Sequence, residues 1–220
     1  FLGRLTEIIQ FAPINVKSVS RIFDIHLKKE LLQLAMKSNN LKIRQAIAES
    51  TKQISKDFKT EYESLLNDNS YVTKEIVFQQ LYEQFPEDRT KYLSATENVI
   101  GNNDKSFRVT WLGIAIHKSG FSEKKRQEFL NELHYYASES FESSVRQNAL
   151  EILLQLQPNE DQVIALLFKA TSHHKWQFTM FARTKVRELL KNKTFRNKVE
   201  QLAATADAVM KERYDIFLKE

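Results

Sequence analysis

The chain has 220 residues, with 33 basic and 28 acidic side chains, a formal charge of +5, 42% apolar residues, four Gly, three Pro and no Cys. That apolar content excludes a disordered or collagen-like chain, and the lack of Cys excludes disulfide scaffolds and cysteine-ligated zinc while leaving the compartment open. No apolar run approaches the roughly 18 residues of a membrane-spanning helix, and no secretory signal pattern opens the sequence. It begins at Phe1 rather than Met, which suggests a processed or excised piece of something longer.

Few helix breakers and abundant Leu, Lys, Glu, Gln and Ala predict helix almost everywhere. Residues 1–38 carry helical stripes (Leu5, Ile8, Ile9; Val19, Phe23, Leu27) broken near Pro13. They show no repeat and are expected to form an N-terminal helical cap. From residue 39 to 220 a short pattern returns at intervals of about three dozen residues: Ile43-Arg44, Phe107-Arg108 and Val145-Arg146. Each copy sits just after an Asn/Asp/Ser-rich stretch and opens an amphipathic run, with a second run after a short break. Such a period is the signature of stacked helix pairs. The expected fold is therefore all-α, an α-solenoid of the HEAT/ARM type with about five antiparallel pairs, continuous with the cap.

In chain order the first pair spans 40–54 and 57–67, the former carrying Ile43, Ala46, Ile47 and Ile54. Asn67-Asp68-Asn69-Ser70 makes a turn able to cap the next helix. That helix bears Val72, Ile76, Val77, Leu81 and Phe85, and ends at Pro86. Its partner, near 87–100, stops at Gly101, where glycine can adopt the left-handed conformation that closes a helix. The third pair runs 105–118 and 122–138. In the fourth, Val145, Ala149, Ile152, Leu153 and Leu156 precede Val163, Leu166, Leu167 and Ala170, both at helical spacing. A fifth holds Phe178–Lys191 and Phe195–Met210.

The repeated Arg44, Arg108 and Arg146 are expected to be structural. The residue before each points between repeats, while the Arg stem lies on apolar surface and its guanidinium bonds turn carbonyls or an Asp, Asp68 and Asp104 being the candidates. Repeat two carries Thr73-Lys74 instead.

Chemistry-bearing motifs are few. Among His26, His117, His134, His173 and His174 no pair stands at i, i+4, so no His-Glu-x-x-His zinc helix exists. His173-His174 is expected at a turn or helix end, where His can bond the last carbonyls. Four scattered glycines make no phosphate loop. Trp111 and Trp176 are expected to pack in the core rather than stack on bases. The basic stretches Lys124-Lys125-Arg126 and Lys185–Lys198 are expected to be solvated helix faces, which argues against nucleic acid as a partner despite a pI near 9.2.

The strings Ser143-Ser144-Val145-Arg146-Gln147-Asn148-Ala149-Leu150-Glu151, Ala170-Thr171-Ser172-His173-His174-Lys175-Trp176-Gln177-Phe178 and Phe181-Ala182-Arg183 resemble the C-terminal helical repeats of bacterial M1-family zinc aminopeptidases. Phe85–Leu93 is similar to that region as well, so the likeness covers about residues 40–195. It implies a module that walls or caps the peptide chamber of a larger metallopeptidase, partnered by the parent's catalytic domain and, through it, by peptide. The family's zinc helix and Gly-x-Met-Glu-Asn motif are absent from this sequence. The resemblance therefore implies no catalytic, cofactor or metal residue here, and zinc only in a catalytic domain this chain does not contain. Arg183 and Lys185 are candidates for contacting a substrate carboxylate. Two alternatives are a nucleic-acid-binding solenoid of the DNA-repair type and a protein-interaction scaffold.

Overall fold

The computed structural model describes residues 28–103, 105–117 and 120–220, and every element among them is helical. The stripes predicted in residues 1–27, His26, and the candidate acceptor Asp104 lie outside the described residues. The described chain falls into two compact units that divide between Arg89 and Thr90.

In the first unit, helix α1 (Lys28–Met36) lies against α2 (Leu41–Ser50) and against the short α3 (Lys59–Glu63). Asn40 starts α2 by accepting a hydrogen bond from the Lys42 amide at 3.0 Å. The predicted helix over 57–67 is instead a 3₁₀ turn (Lys56–Phe58), α3, and a second 3₁₀ turn (Ser64–Asn67). At their junction the Ser64 hydroxyl donates to the Glu61 carbonyl at 2.6 Å, a local bond that competes with regular helix. Helix α4 (Tyr71–Gln84) follows, and Ser70 caps it as expected by accepting from the Thr73 amide. Its core face is Thr73, Val77, Phe78 and Leu81, with Phe85 just beyond. Val72, Ile43 and Ala46, assigned to the core from their spacing, are exposed. The stripe in each helix is rotated by about one residue from the predicted one.

Arg89 opens α5 (Arg89–Thr96), preceded by a 3₁₀ turn at Pro86–Asp88. The predicted helix to residue 100 ends at Thr96, whose hydroxyl bonds the Tyr92 carbonyl at 2.7 Å. In the second unit follow α6 (Ser106–His117), α7 (Glu123–Ala137), α8 (Ser143–Leu156), α9 (Asp161–Ala170), α10 (Trp176–Leu189), α11 (Lys193–Thr205) and α12 (Ala208–Leu218). Helices α6 and α7, α7 and α8, α8 and α9, and α9 and α10 pack on one another, and α6 also touches α8, as α8 does α10. The predicted fifth pair is not formed, because α11 packs mainly on α12 rather than on α10. Both helices of the α6–α7 pair thus meet α8, and both helices of the α8–α9 pair meet α10. The predicted last helix breaks at Ala206-Asp207, where Asp207 accepts from the Met210 amide at 2.9 Å and starts α12. Phe168 meets Tyr214 and Phe217 edge-on, which seats α12 on α9.

The core of this unit is aromatic at its start. Trp111 is fully buried, donates its indole N–H to the Leu93 carbonyl at 3.1 Å, and meets Phe129 edge-on with centroids 5.3 Å apart. Where α6 and α8 cross, a Cβ on Gly113 would stand 3.0 Å from Ile152 Cγ2, so glycine permits this close approach. Gly101 takes φ +88°, as the sequence suggested, although it lies beyond the end of α5. A Cβ there would also stand 3.0 Å from the fully buried Phe107 Cβ. Gly101→Ala is expected to lower stability by about 1–3 kcal/mol, read as a reduced denaturation midpoint at unchanged m-value.

Candidate functional site

Arg44 and Arg108 share one geometry. Arg44 is the fourth residue of α2; its Nη1 donates to the Ser38 carbonyl just past α1, and its Nε and Nη2 grip the Asp68 carboxylate. Arg108 near the start of α6 does the same: Nη1 donates to the Glu97 carbonyl just past α5 at 2.6 Å, and Nε and Nη2 donate to Glu132 at 2.8 and 2.7 Å. Its guanidinium also lies 4.7 Å from the Trp111 ring centroid. A guanidinium fork fits a carboxylate with two parallel bonds, and a cation suits the negative end of the preceding helix. Asp68, named from the sequence, is the acceptor for Arg44. For Arg108 the carboxylate comes instead from Glu132 in the middle of α7, which sequence spacing did not single out. Burial pushes the Asp68 carboxyl up, but the Arg44 hydrogen bond, the Ser70 amide and the nearby cations outweigh it and hold the group below its ordinary value. Phe107 and Val145, the residues before Arg108 and Arg146, are buried as expected, whereas Ile43 is 42% exposed.

A fourth copy, Phe195-Arg196 after the capping Asn192, went unrecognised in the sequence. Arg196 is the fourth residue of α11 and donates to the Leu190 and Leu218 carbonyls, both at 3.3 Å. Its signal was present in the Asn-x-x-Phe-Arg spelling and was masked by irregular spacing.

Arg146 departs from this arrangement. It sits fourth in α8, only 5% exposed, with its Nε enclosed and lacking a hydrogen-bond partner. The guanidinium lies 5.1 Å from the Phe178 ring centroid. Burial pushes its pKa down, opposed by the charge of Glu139, which itself pairs with Lys169 at 3.5 Å.

Phe178 also forms part of the wall of an open cavity of about 500 Å³. One side is the first turns of α8, with Ser143, Ser144, Gln147 and Asn148; the other is the entry to α10, with Lys175, Trp176 and Gln177. No carboxylate lines it. Trp176, expected in the core, is 70% exposed. It is the first residue of α10, and the apolar face of that helix is taken instead by Phe178, Ala182 and Val186.

His173 and His174 occupy the turn between α9 and α10, as expected, with ring centroids 4.2 Å apart. His173 Nδ1 accepts the Lys175 amide at 3.1 Å, and its carbonyl accepts the Thr179 hydroxyl. An imidazole accepting at Nδ1 must be unprotonated there. Desolvation, then the charges of His174, Arg146 and Lys175, lower the His173 pKa, with Glu142 acting the other way. Among the described residues no cluster of His, Asp and Glu is arranged to hold a metal ion, and no helix is long and apolar enough to cross a membrane.

Arg183 and Lys185 do not line this cavity. Arg183 donates to the Thr171 carbonyl at 3.0 Å, and Lys185 pairs with Glu188 one turn on at 3.3 Å. Several cations of the two basic stretches are likewise paired: Lys125 with Glu97, Lys198 with Asp161, and Arg187 with Glu220. The chain matches no known protein family, no curated protein and no solved structure.

Glu132→Gln is expected to cost about 1–3 kcal/mol, because Arg108 would lose the charge that offsets its burial, measured as a fall in the urea midpoint. For His173 the depressed pKa means the unfolded chain binds the proton first. Stability is therefore full above the free-histidine value of 6.5 and falls as pH drops below it. His173→Asn, whose side-chain oxygen can still accept the Lys175 amide, is expected to flatten the part of the pH 5–8 thermal profile that this residue causes.

Proposed function

We propose that the chain is a non-catalytic helical-repeat module of an M1-type zinc aminopeptidase, stacked as an α-solenoid and forming part of the wall of the parent's peptide chamber. The observation that carries this reading is spatial. The two strings that resemble the family, Ser143–Glu151 and Ala170–Phe178, lie apart in sequence yet supply the opposite walls of one cavity. The contacts of α6 and α7 with α8, and of α8 and α9 with α10, support a stacked array. Buried side chains account for most of the apolar pattern, and the exposed Trp176 gives the module a surface able to hold an extended chain. Zinc and the reaction belong to the parent's catalytic domain, and Arg183 and Lys185 remain candidates for meeting a substrate carboxylate only in that larger assembly.

Two measurements test this reading. The reading frame upstream of Phe1 is expected to encode a His-Glu-x-x-His helix, and a frame without one overturns the assignment. The isolated chain, supplied with zinc, is expected to leave aminoacyl-anilides unhydrolysed; sustained turnover would show a reaction centre within it.

A second reading is favoured by the exposed Trp176 beside Lys175, a pairing suited to stacking on a nucleic-acid base. It predicts duplex or single-stranded DNA binding whose log affinity falls with log salt by roughly 0.7–0.9 per phosphate engaged. The ion pairs that occupy cations along the helices oppose it. Affinity that is undetectable at low salt removes it.

A further inference from the structure

Two of the arginine clasps place their carboxylate at the same distance along the chain, and at Arg146 that position holds no acid. Asp68 lies 24 residues beyond Arg44, and Glu132 lies 24 beyond Arg108. Glu220 lies the same distance beyond Arg196 and borders the same cavity, although it pairs with Arg187. The position 24 beyond Arg146 is Ala170. The helices agree with the count: Glu132 is the tenth residue of α7, and Ala170 the tenth of α9. Both are second helices of their pairs. Where Arg108 finds a carboxylate from that helix, the corresponding position for Arg146 carries only a methyl group.

The Arg146 Nε is enclosed without a hydrogen-bond partner, and Arg146 is the most deeply buried of the repeat arginines. A charged donor so enclosed and unpaired is costly to bury. Glu139, the acid whose charge acts on Arg146, is 65% exposed at its side chain and engaged with Lys169. Phe178, under the guanidinium, separates it from the open cavity by one ring. We propose that Arg146 binds a carboxylate supplied from outside this fold, entering beside Phe178 and taking the fork geometry that Asp68 and Glu132 take at the other clasps. The inference stands apart from the aminopeptidase reading and holds for any parent protein.

Thermal midpoints of the whole chain at pH 7.5 test it, with sodium acetate replacing sodium chloride at constant ionic strength. Acetate probes a small free acid, and N-acetyl-glutamyl amide probes an acidic protein side chain; the stronger of the two names the source. The midpoint is expected to rise with acid concentration and to saturate. Arg146→Gln is expected to weaken the half-saturating concentration by at least about tenfold, the effect of losing charged hydrogen bonds. Ala170→Glu, which supplies the acid internally, is expected to abolish the response. Wild-type midpoints that are the same in both acids as in chloride overturn the proposal whether or not the variants fold. So does a folded Arg146→Gln that responds as the wild type does.

Discussion

The fold depends on how each helix pair is tied to the helix before it. A helix ends with backbone carbonyls that lack intrahelical partners, and burying them against the next pair is costly unless a donor is brought to them. Arg44, Arg108 and Arg196 bring that donor from the first turn of the following helix. The long aliphatic stem lets the residue remain part of the apolar layer while its head reaches the turn. In two clasps the remaining nitrogens close on a carboxylate, so one side chain ties together three segments. Arg183 and Arg89 apply the same chemistry from within or just after a helix, to the Thr171 and Tyr82 carbonyls. Shape complementarity among Leu, Val and Phe could be satisfied in several registers, whereas a bidentate fork accepts few, so the clasps fix which turn meets which helix.

That constraint also explains what the sequence made legible. Helix content, most helix starts and the turn carrying Asp68 followed from local rules, because capping by Ser70 or Asn40 involves only neighbours in the chain. The arginine ladder could be seen because Phe107-Arg108 and Val145-Arg146 repeat the same spelling. The acid for Arg108 could not, since Glu132 sits among other acidic and polar residues on α7 and only the packing of α6 on α7 selects it. Ile43 and Val72 were assigned inward by spacing alone, which gives the angle between residues around a helix but not which way the helix is turned.

The cavity was less legible still. Trp176 has the composition of a core residue and begins a helix whose stripe it does not join; its exposure follows from Phe178, Ala182 and Val186 taking the buried face. His173 and His174 were placed at a turn correctly, but the use of Nδ1 as an acceptor for the Lys175 amide depends on a ring orientation that no spacing rule contains. The helical class and the positions of most turns thus came from period and caps. The site came from side-chain directions, which are set by long-range contacts.

The two tryptophans have come to rest in opposite surroundings, Trp111 sealed among Phe129 and Phe121 and Trp176 standing in solvent at the edge of the cavity. The molecule consequently carries two optical reporters that differ in colour and reach. Blue-shifted emission, shielded from iodide, belongs to Trp111 and persists as long as the α6–α7 layer does, while red-shifted, quenchable emission belongs to Trp176 and follows events at the mouth of the cavity. Fluorescence can therefore separate occupation of that mouth from loosening of the interior without any added label.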